Sequence, residues 1–458
     1  MAELAAKERR VLRLLAGVCA LWAVFQLTRG SFNLLAPVPF GLTFNSMAAH
    51  LLAGRFDVDP AAVGAEGFAR DGRIYAYFGI FCALLRLPWL AAGGAGVDAT
   101  VLSCAVAMGL TGWLKIRMVL RLGARFPDSP NRAAMQALLI AALAFGGVQV
   151  ELLRPSIYQE VVDWAGCLAT GFVGLALEGL LGDGFGRRRL GGMAVLAALA
   201  LTARVSTGLG LYVALGLLVL LRWPGWRALP VVIVVLAAGL AVTLGVNVGR
   251  WGAPLEFAPL SLNLMAQGYA PERIGRAASQ GAFNLARLGF GLQYYILPLW
   301  VLPDGQGGLL FATFRDYWLD AAELPPSSFL LTDTLLLALG GVALRRLPAA
   351  AWLDRRVVVG LALGLAVPPG LMLIAISMNH RYRTEFDGLF LLLGLLGAAM
   401  LLRQPAAFGA GLRRWLLIAT AIGVVGSHAT LLAYQHSPFG PGQRHLQHGL
   451  LGRYLHGE

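Results

Sequence analysis

Runs of about 15–22 apolar residues recur along the whole chain, each long enough to cross the hydrocarbon core of a bilayer. A soluble fold has nothing to cover them with. Of 458 residues 58% are hydrophobic and only 13% charged, whereas a soluble domain carries about 25% charged residues. The sequence predicts an all-α polytopic integral membrane protein whose first partner is the lipid bilayer.

The formal charge of +13 is carried mainly by Arg, in short clusters between apolar runs. That is the distribution of the positive-inside rule and not of a nucleic-acid surface, so no nucleic-acid partner is expected. Cys19, Cys82, Cys104 and Cys167 lie in or beside apolar runs without a CxxC pair and read as core residues. MAELAAKERR has no small-residue cleavage site after its apolar run, so it reads as the start of an uncleaved first helix.

The predicted spans are Val11–Leu27, Thr100–Leu114, Ala133–Val150, Val161–Leu181, Leu190–Thr202, Gly208–Leu221, Pro230–Val246, Phe329–Leu344, Val357–Ile376, Gly388–Leu402 and Trp415–Tyr434. The run Tyr75–Ala92 contains Arg86 and Pro88. Counted as a full crossing, it strands Lys115/Arg117/Arg121/Arg125 on the side opposite the other basic clusters. As a re-entrant or interfacial element it leaves about eleven spans, N-terminus cytoplasmic. Residues 28–74, 247–326 and the tail 435–458 then lie outside, in one transmembrane domain. An interfacial helix is expected over Phe44–Gly54.

Polar chemistry concentrates on that outer face. Asp57-Val58-Asp59 is a DxD pair that can hold a divalent cation or supply a base beside a second carboxylate, or simply be a solvated acid pair. Asp71 and Arg73 with Tyr75 and Tyr77 combine an acid, a guanidinium and two phenols, suiting either a pocket wall or a headgroup anchor. Glu160 and Asp163, three apart at the head of a span, need a cavity or a cation such as Arg154 or Arg204. The turn NHRYRTEFD holds Arg381, Tyr382, Arg383 and Glu385; paired arginines suit a phosphate, from a lipid headgroup or a substrate. The histidines show neither HxxxH nor HExxH spacing, and His436, His445, His448 and His456 all fall in the tail.

Five strings in order resemble the polytopic glycosyltransferases of GT-C type. They are AAHLLAGRFDVDP…RDGRIYAYFGIFCALLRLP, RPSIYQEVVDW, ALTARVSTGLGL, NVGRWGAPLEF and HRYRTEF, covering Phe44 to Leu391. The resemblance implies a GT-C-like helical bundle, a polyprenyl-phosphate-sugar donor, a glycan or lipid acceptor, and a catalytic acid in the first outer loop of a bacterial inner-membrane enzyme. Where many members carry an Asp-Glu pair at the start of the interfacial helix, this chain has Thr43, Phe44 and Asn45. The base role then falls to Asp57 or Asp59. Arg381 and Arg383, with Arg204, would hold the departing phosphate. The different-class alternative is a transporter or flippase of a lipid-linked saccharide, but no internal repeat supports it. Membrane acyl transfer would need His50 or His380 as its reactive group.

Overall fold

The computed structural model describes residues 2–182, 184–222, 227–269, 271–297, 318–319, 321–323, 326–404 and 408–435. The tail with its four histidines and most of 298–326 lie outside the described residues.

The chain is a helical membrane bundle. Among the described residues, eight helical segments are long and apolar enough to cross a membrane: Arg10–Leu27, Thr100–Arg125, Arg132–Glu151, Ile157–Leu181, Leu229–Trp251, Arg355–Leu373, His380–Arg403 and Ala410–Tyr434. Three expected spans do not reach that length. Arg187–Ala203 and Val205–Leu221 have 17 residues each, and the helix from Phe329 is interrupted at Asp333 before continuing over Thr334–Arg346. The helix Thr384–Arg403 is the axis of the bundle: 78% of its apolar stretch is buried, against 17% for the first helix and for Leu229–Trp251, which face outward. Its Leu391, Leu395 and Leu396 join Phe172, Val173, Leu339 and Leu361 in the main core.

Sequence-level boundaries shift for local reasons. The helix expected from Val161 begins at Ile157, because the Ser156 hydroxyl caps it by accepting from the amides of Tyr158 and Gln159 at 3.2 and 3.4 Å. The interfacial helix runs Thr43–Leu52. Lys115 does not belong to a surface basic cluster; it is buried, 2.6 Å from Asp387.

The helices bring two kinds of turn to opposite ends. At one end, Arg125 donates to the Leu181 carbonyl, Arg413 to Asn131 and Arg346 to Gln404, while Arg403 lies over Trp352. The other end holds the first loop, the turn before Ile157, the break at Arg204, the residues after Trp251 and the turn before Thr384.

The first loop is folded, not extended. Phe68–Arg70 pairs antiparallel with Arg73–Tyr75 around Asp71-Gly72, whose φ values of 51° and 72° make the primed turn that an Asp-Gly pair favours. Within Tyr75–Ala92, two short helices, Phe81–Leu85 and Leu87–Ala91, meet at Arg86. Together they reach about 16 Å, half a hydrocarbon core. Gly79 seats the loop on the bundle: a Cβ there would lie 2.2 Å from the Ala203 carbonyl oxygen. Gly79→Ala should therefore lower stability by about 1–3 kcal/mol, read as a drop in thermal unfolding temperature of the detergent-solubilised protein.

Candidate functional site

A single extended residue, Arg204 (φ −148°, ψ 117°), separates the helices Arg187–Ala203 and Val205–Leu221. Its guanidinium pairs with Glu385 through Nε and sits 4.9 Å from the ring centre of Tyr382. Glu385 is buried and also accepts from the hydroxyls of Ser206 at 2.6 Å and Thr207 at 2.7 Å. Its carboxylate is thus used up in orienting Arg204.

The turn His380–Arg383 sends its arginines in opposite directions. Arg381 lies between two phenols, 4.7 Å over Tyr158 and 5.1 Å over Tyr382, and has no carboxylate partner among the described residues. π-Faces hold a cation without neutralising it. Arg383 points into the bundle, fully buried. It donates to Ser327 at 2.6 Å and Thr332 at 2.7 Å, and pairs with Asp333 at the helix interruption. Below it, Lys115, Glu151, Asp333 and Asp387 line a cavity of about 10 Å³, which is room for one water. Arg383 is thereby the anchor of this turn, its donors engaged inside the bundle by Ser327, Thr332 and Asp333.

Glu160 meets neither Arg154 nor Arg204. Fully buried, it accepts from Arg86 Nη2 at 2.8 Å, and Arg86 Nε donates to Asn45 at 3.2 Å. Asn45 in turn donates to the carbonyls of Gly94, Ala95 and Val97. This chain fastens the two short helices and the interfacial helix to the head of Ile157–Leu181. Asp71 and Arg73 are exposed at the hairpin turn, and Tyr75 is buried against Trp251 at 6.1 Å between ring centres.

Asp57 and Asp59 bracket His50, whose two ring nitrogens lie 3.3 Å from one oxygen of each. Arg55 is 3.4 Å from Asp57, and Ser46 donates to Asp59 at 2.7 Å. Asp57 is buried; the Asp59 side chain is 63% exposed. Neither pairs with Arg204 or Arg381. The first-loop acid beside the arginine–phenol group is Glu66, whose carboxylate faces the Tyr158 hydroxyl. The amides of Met265 and Leu264 hold the carbonyls on either side of it. Tyr77 completes this wall; burial pushes its hydroxyl well above the usual phenol range, against the opposing pull of Arg381.

The structure therefore brings Arg204, Arg381, Tyr382 and Glu385 together with Tyr77, Tyr158 and Glu66. Sequence reasoning missed Tyr158 as a site residue although it lies inside RPSIYQEVVDW, and missed Glu66 because it belongs to no motif. Among the described residues, no group of three or more His, Cys, Asp or Glu could hold a metal ion.

This architecture shares its fold with a solved oligosaccharyltransferase. The chain superposes on the crystal structure of the Archaeoglobus fulgidus oligosaccharyltransferase in the apo form with a TM-score of 0.51 and 15% identity, over 94% of this chain and 57% of that one. The archaeal oligosaccharyltransferase AglB from the same organism, in complex with an inhibitory peptide and a dolichol-phosphate, gives a TM-score of 0.48 and 13% identity, over 95% and 57%. The chain spans little more than half the length of both. No protein-family model matches the sequence, and no curated protein matches it.

The Arg86–Glu160 pair gives a direct test of how the loop is held. Arg86→Met should cost about 3–5 kcal/mol by leaving a buried carboxylate unpaired, and adding Glu160→Leu should recover most of it. Thermal unfolding of the two variants in detergent measures both.

Proposed function

We propose that the chain is a membrane glycosyltransferase, transferring a sugar from a polyprenyl-phosphate donor to a glycan or lipid acceptor with inversion at the anomeric carbon. The observation that carries this reading is Arg381, a half-buried cation held by two phenol faces and, among the described residues, in no ion pair with a carboxylate. The glycosyl-transferring activity named for the oligosaccharyltransferase of the same fold supports it. The end bearing Arg125, Arg346, Arg403 and Arg413 fits the cytoplasmic side by the positive-inside rule. The site then faces the outside of a bacterial inner membrane, and the N-terminus the cytoplasm.

The acceptor oxygen attacks the anomeric carbon as the bond from that carbon to the phosphate oxygen breaks. The acceptor proton passes to a carboxylate, and polyprenyl phosphate leaves with the bonding electrons. Arg381 and Arg204 stabilise the charge that grows on the phosphate, with the Tyr382 hydroxyl beside them. Asp57 is the proposed base, oriented through His50 and accompanied by Asp59. Glu66 is the second reading, favoured by its place against Tyr158. Asp71, Arg73 and Tyr75 form the hairpin flank on which an acceptor rests. A divalent cation between Asp57 and Asp59 would have to displace the His50 ring.

Transfer assayed in proteoliposomes with a polyprenyl-phosphate-linked sugar tests the roles. Arg381→Gln should reduce kcat at least ~100-fold, an effect of the size seen when one transition-state donor is lost; unchanged turnover removes the phosphate site from this turn. Asp57→Asn should abolish transfer while Glu66→Gln leaves most of it, and the reverse pattern moves the base to Glu66. Treatment with EDTA should leave the rate within about twofold. A loss restored by Mg²⁺ or Mn²⁺ would put a cation at Asp57–Asp59.

A further inference from the structure

The last turn of Leu229–Trp251 carries Arg250, which takes part in none of the buried ion pairs described above. It is 2% exposed, and among the described residues no carboxylate pairs with it. Its Nη1 donates to the Phe78 carbonyl at 2.7 Å, and its Nη2 lies 3.3 Å from the Met47 sulfur. Its Nε is buried without a hydrogen-bond partner. A thioether is a weak acceptor, so this desolvated cation has one strong contact, a single carbonyl. The negative end of the helix dipole offsets only part of the cost of burying it. A charge kept at such a disadvantage marks a place where something other than stability is served.

The carbonyl it holds is the key to what that is. Residues 76–80 form neither helix nor strand, so the buried Phe78 carbonyl has no ladder partner, and Arg250 is the donor that satisfies it. This peptide joins two parts of the arginine–phenol group. On one side the Phe78 ring lies 4.3 Å from Tyr77 and meets Tyr158 edge-on at 5.5 Å. Tyr158 is the ring that lies 4.7 Å from Arg381. On the other side, Gly79 packs on the carbonyls of Thr202 and Ala203, next to Arg204. Turning the Phe78 peptide would disturb the ring beside Arg381 and the seat beside Arg204 together.

We propose that Arg250 is a positioning residue for transfer: by holding the Phe78 carbonyl it sets the aromatic face on which Arg381 rests, and so the place of the phosphate. This rests on the reading of Arg381 as the phosphate site and adds the residue that keeps that site in register from behind.

The test measures transfer in proteoliposomes, and thermal unfolding in detergent, for the full chain carrying Arg250→Met, Arg250→Lys, Arg381→Gln, or Arg250→Met with Arg381→Gln. Arg250→Met should lower kcat about 10- to 100-fold, the scale of a small misplacement at a reacting centre. The donor KM should stay within about threefold of wild type. The unfolding temperature should stay within about 3 °C of wild type, because removing a desolvated charge offsets the carbonyl left unpaired. Arg250→Lys, which still donates to that carbonyl, should recover most of the lost turnover. Once Arg381→Gln is present, Arg250→Met should cost less than about twofold more, the non-additivity of residues that act through one another.

Unchanged kcat in Arg250→Met overturns the proposal. A loss that comes with unfolding more than about 3 °C lower, or that lysine fails to recover, describes a structural contact and also overturns it. A full further loss in the double variant overturns it as well, since Arg250 would then act apart from Arg381. If Arg381→Gln alone turns over normally, the phosphate site itself is lost and this inference with it. A slow Arg381→Gln beside a normal Arg250→Met removes this inference alone.

Discussion

A charge inside a bilayer-spanning bundle has no water to retreat to, so each must be placed against a partner, and those placements dictate the architecture. Arg383 is the clearest case. Buried completely, it is satisfied by Ser327, Thr332 and Asp333, and this joins the turn before the axial helix to the interruption in its neighbour. Lys115 and Asp387 close the same network from another helix. Two residues away, Arg381 is left to aromatic rings. The internal pairing of one arginine is what allows the other to remain available, because the turn is already immobilised and needs no further contact.

The first loop obeys the same logic at its own level. Arg86 and Glu160 could each be very costly alone. Together, and with Asn45, they convert a broken apolar run into a platform on the head of Ile157–Leu181. Gly79 then lets that platform approach the carbonyls beside Arg204. The two ends of the arginine–phenol group, Tyr77 from the loop and Arg204 from the helix break, meet because of a missing Cβ and a buried ion pair.

Much of this was legible in the residues. Long apolar runs announce a helical membrane bundle, and Arg86 with Pro88 announce that Tyr75–Ala92 is not a uniform helix. The grouping of Arg204, Arg381, Tyr382 and Glu385 followed from strings that each carry a polar break. What escaped was pairing at long range. Nothing local tells that Arg381 faces outward and Arg383 inward, since the choice depends on Asp333, fifty residues earlier. Glu160 could equally have met Arg154 or Arg204; Arg86 wins because the platform folds back onto it. Glu66 carries no motif at all, and only the strand-like contacts of Leu264 and Met265 bring it to Tyr158.

The two helices flanking Arg204 have 17 residues each, about 26 Å against a hydrocarbon core near 30 Å. A hairpin that short lies at the lower limit of what spans a bilayer. Thinning or dipping of the leaflet near Arg204 would make up the difference at a modest cost per ångström of mismatch. A long isoprenoid carrier would find its headgroup plane lowered toward the guanidinia at that spot. For the lipid-linked donor proposed above, such a dip would shorten the distance a phosphate must travel to leave the lipid surface.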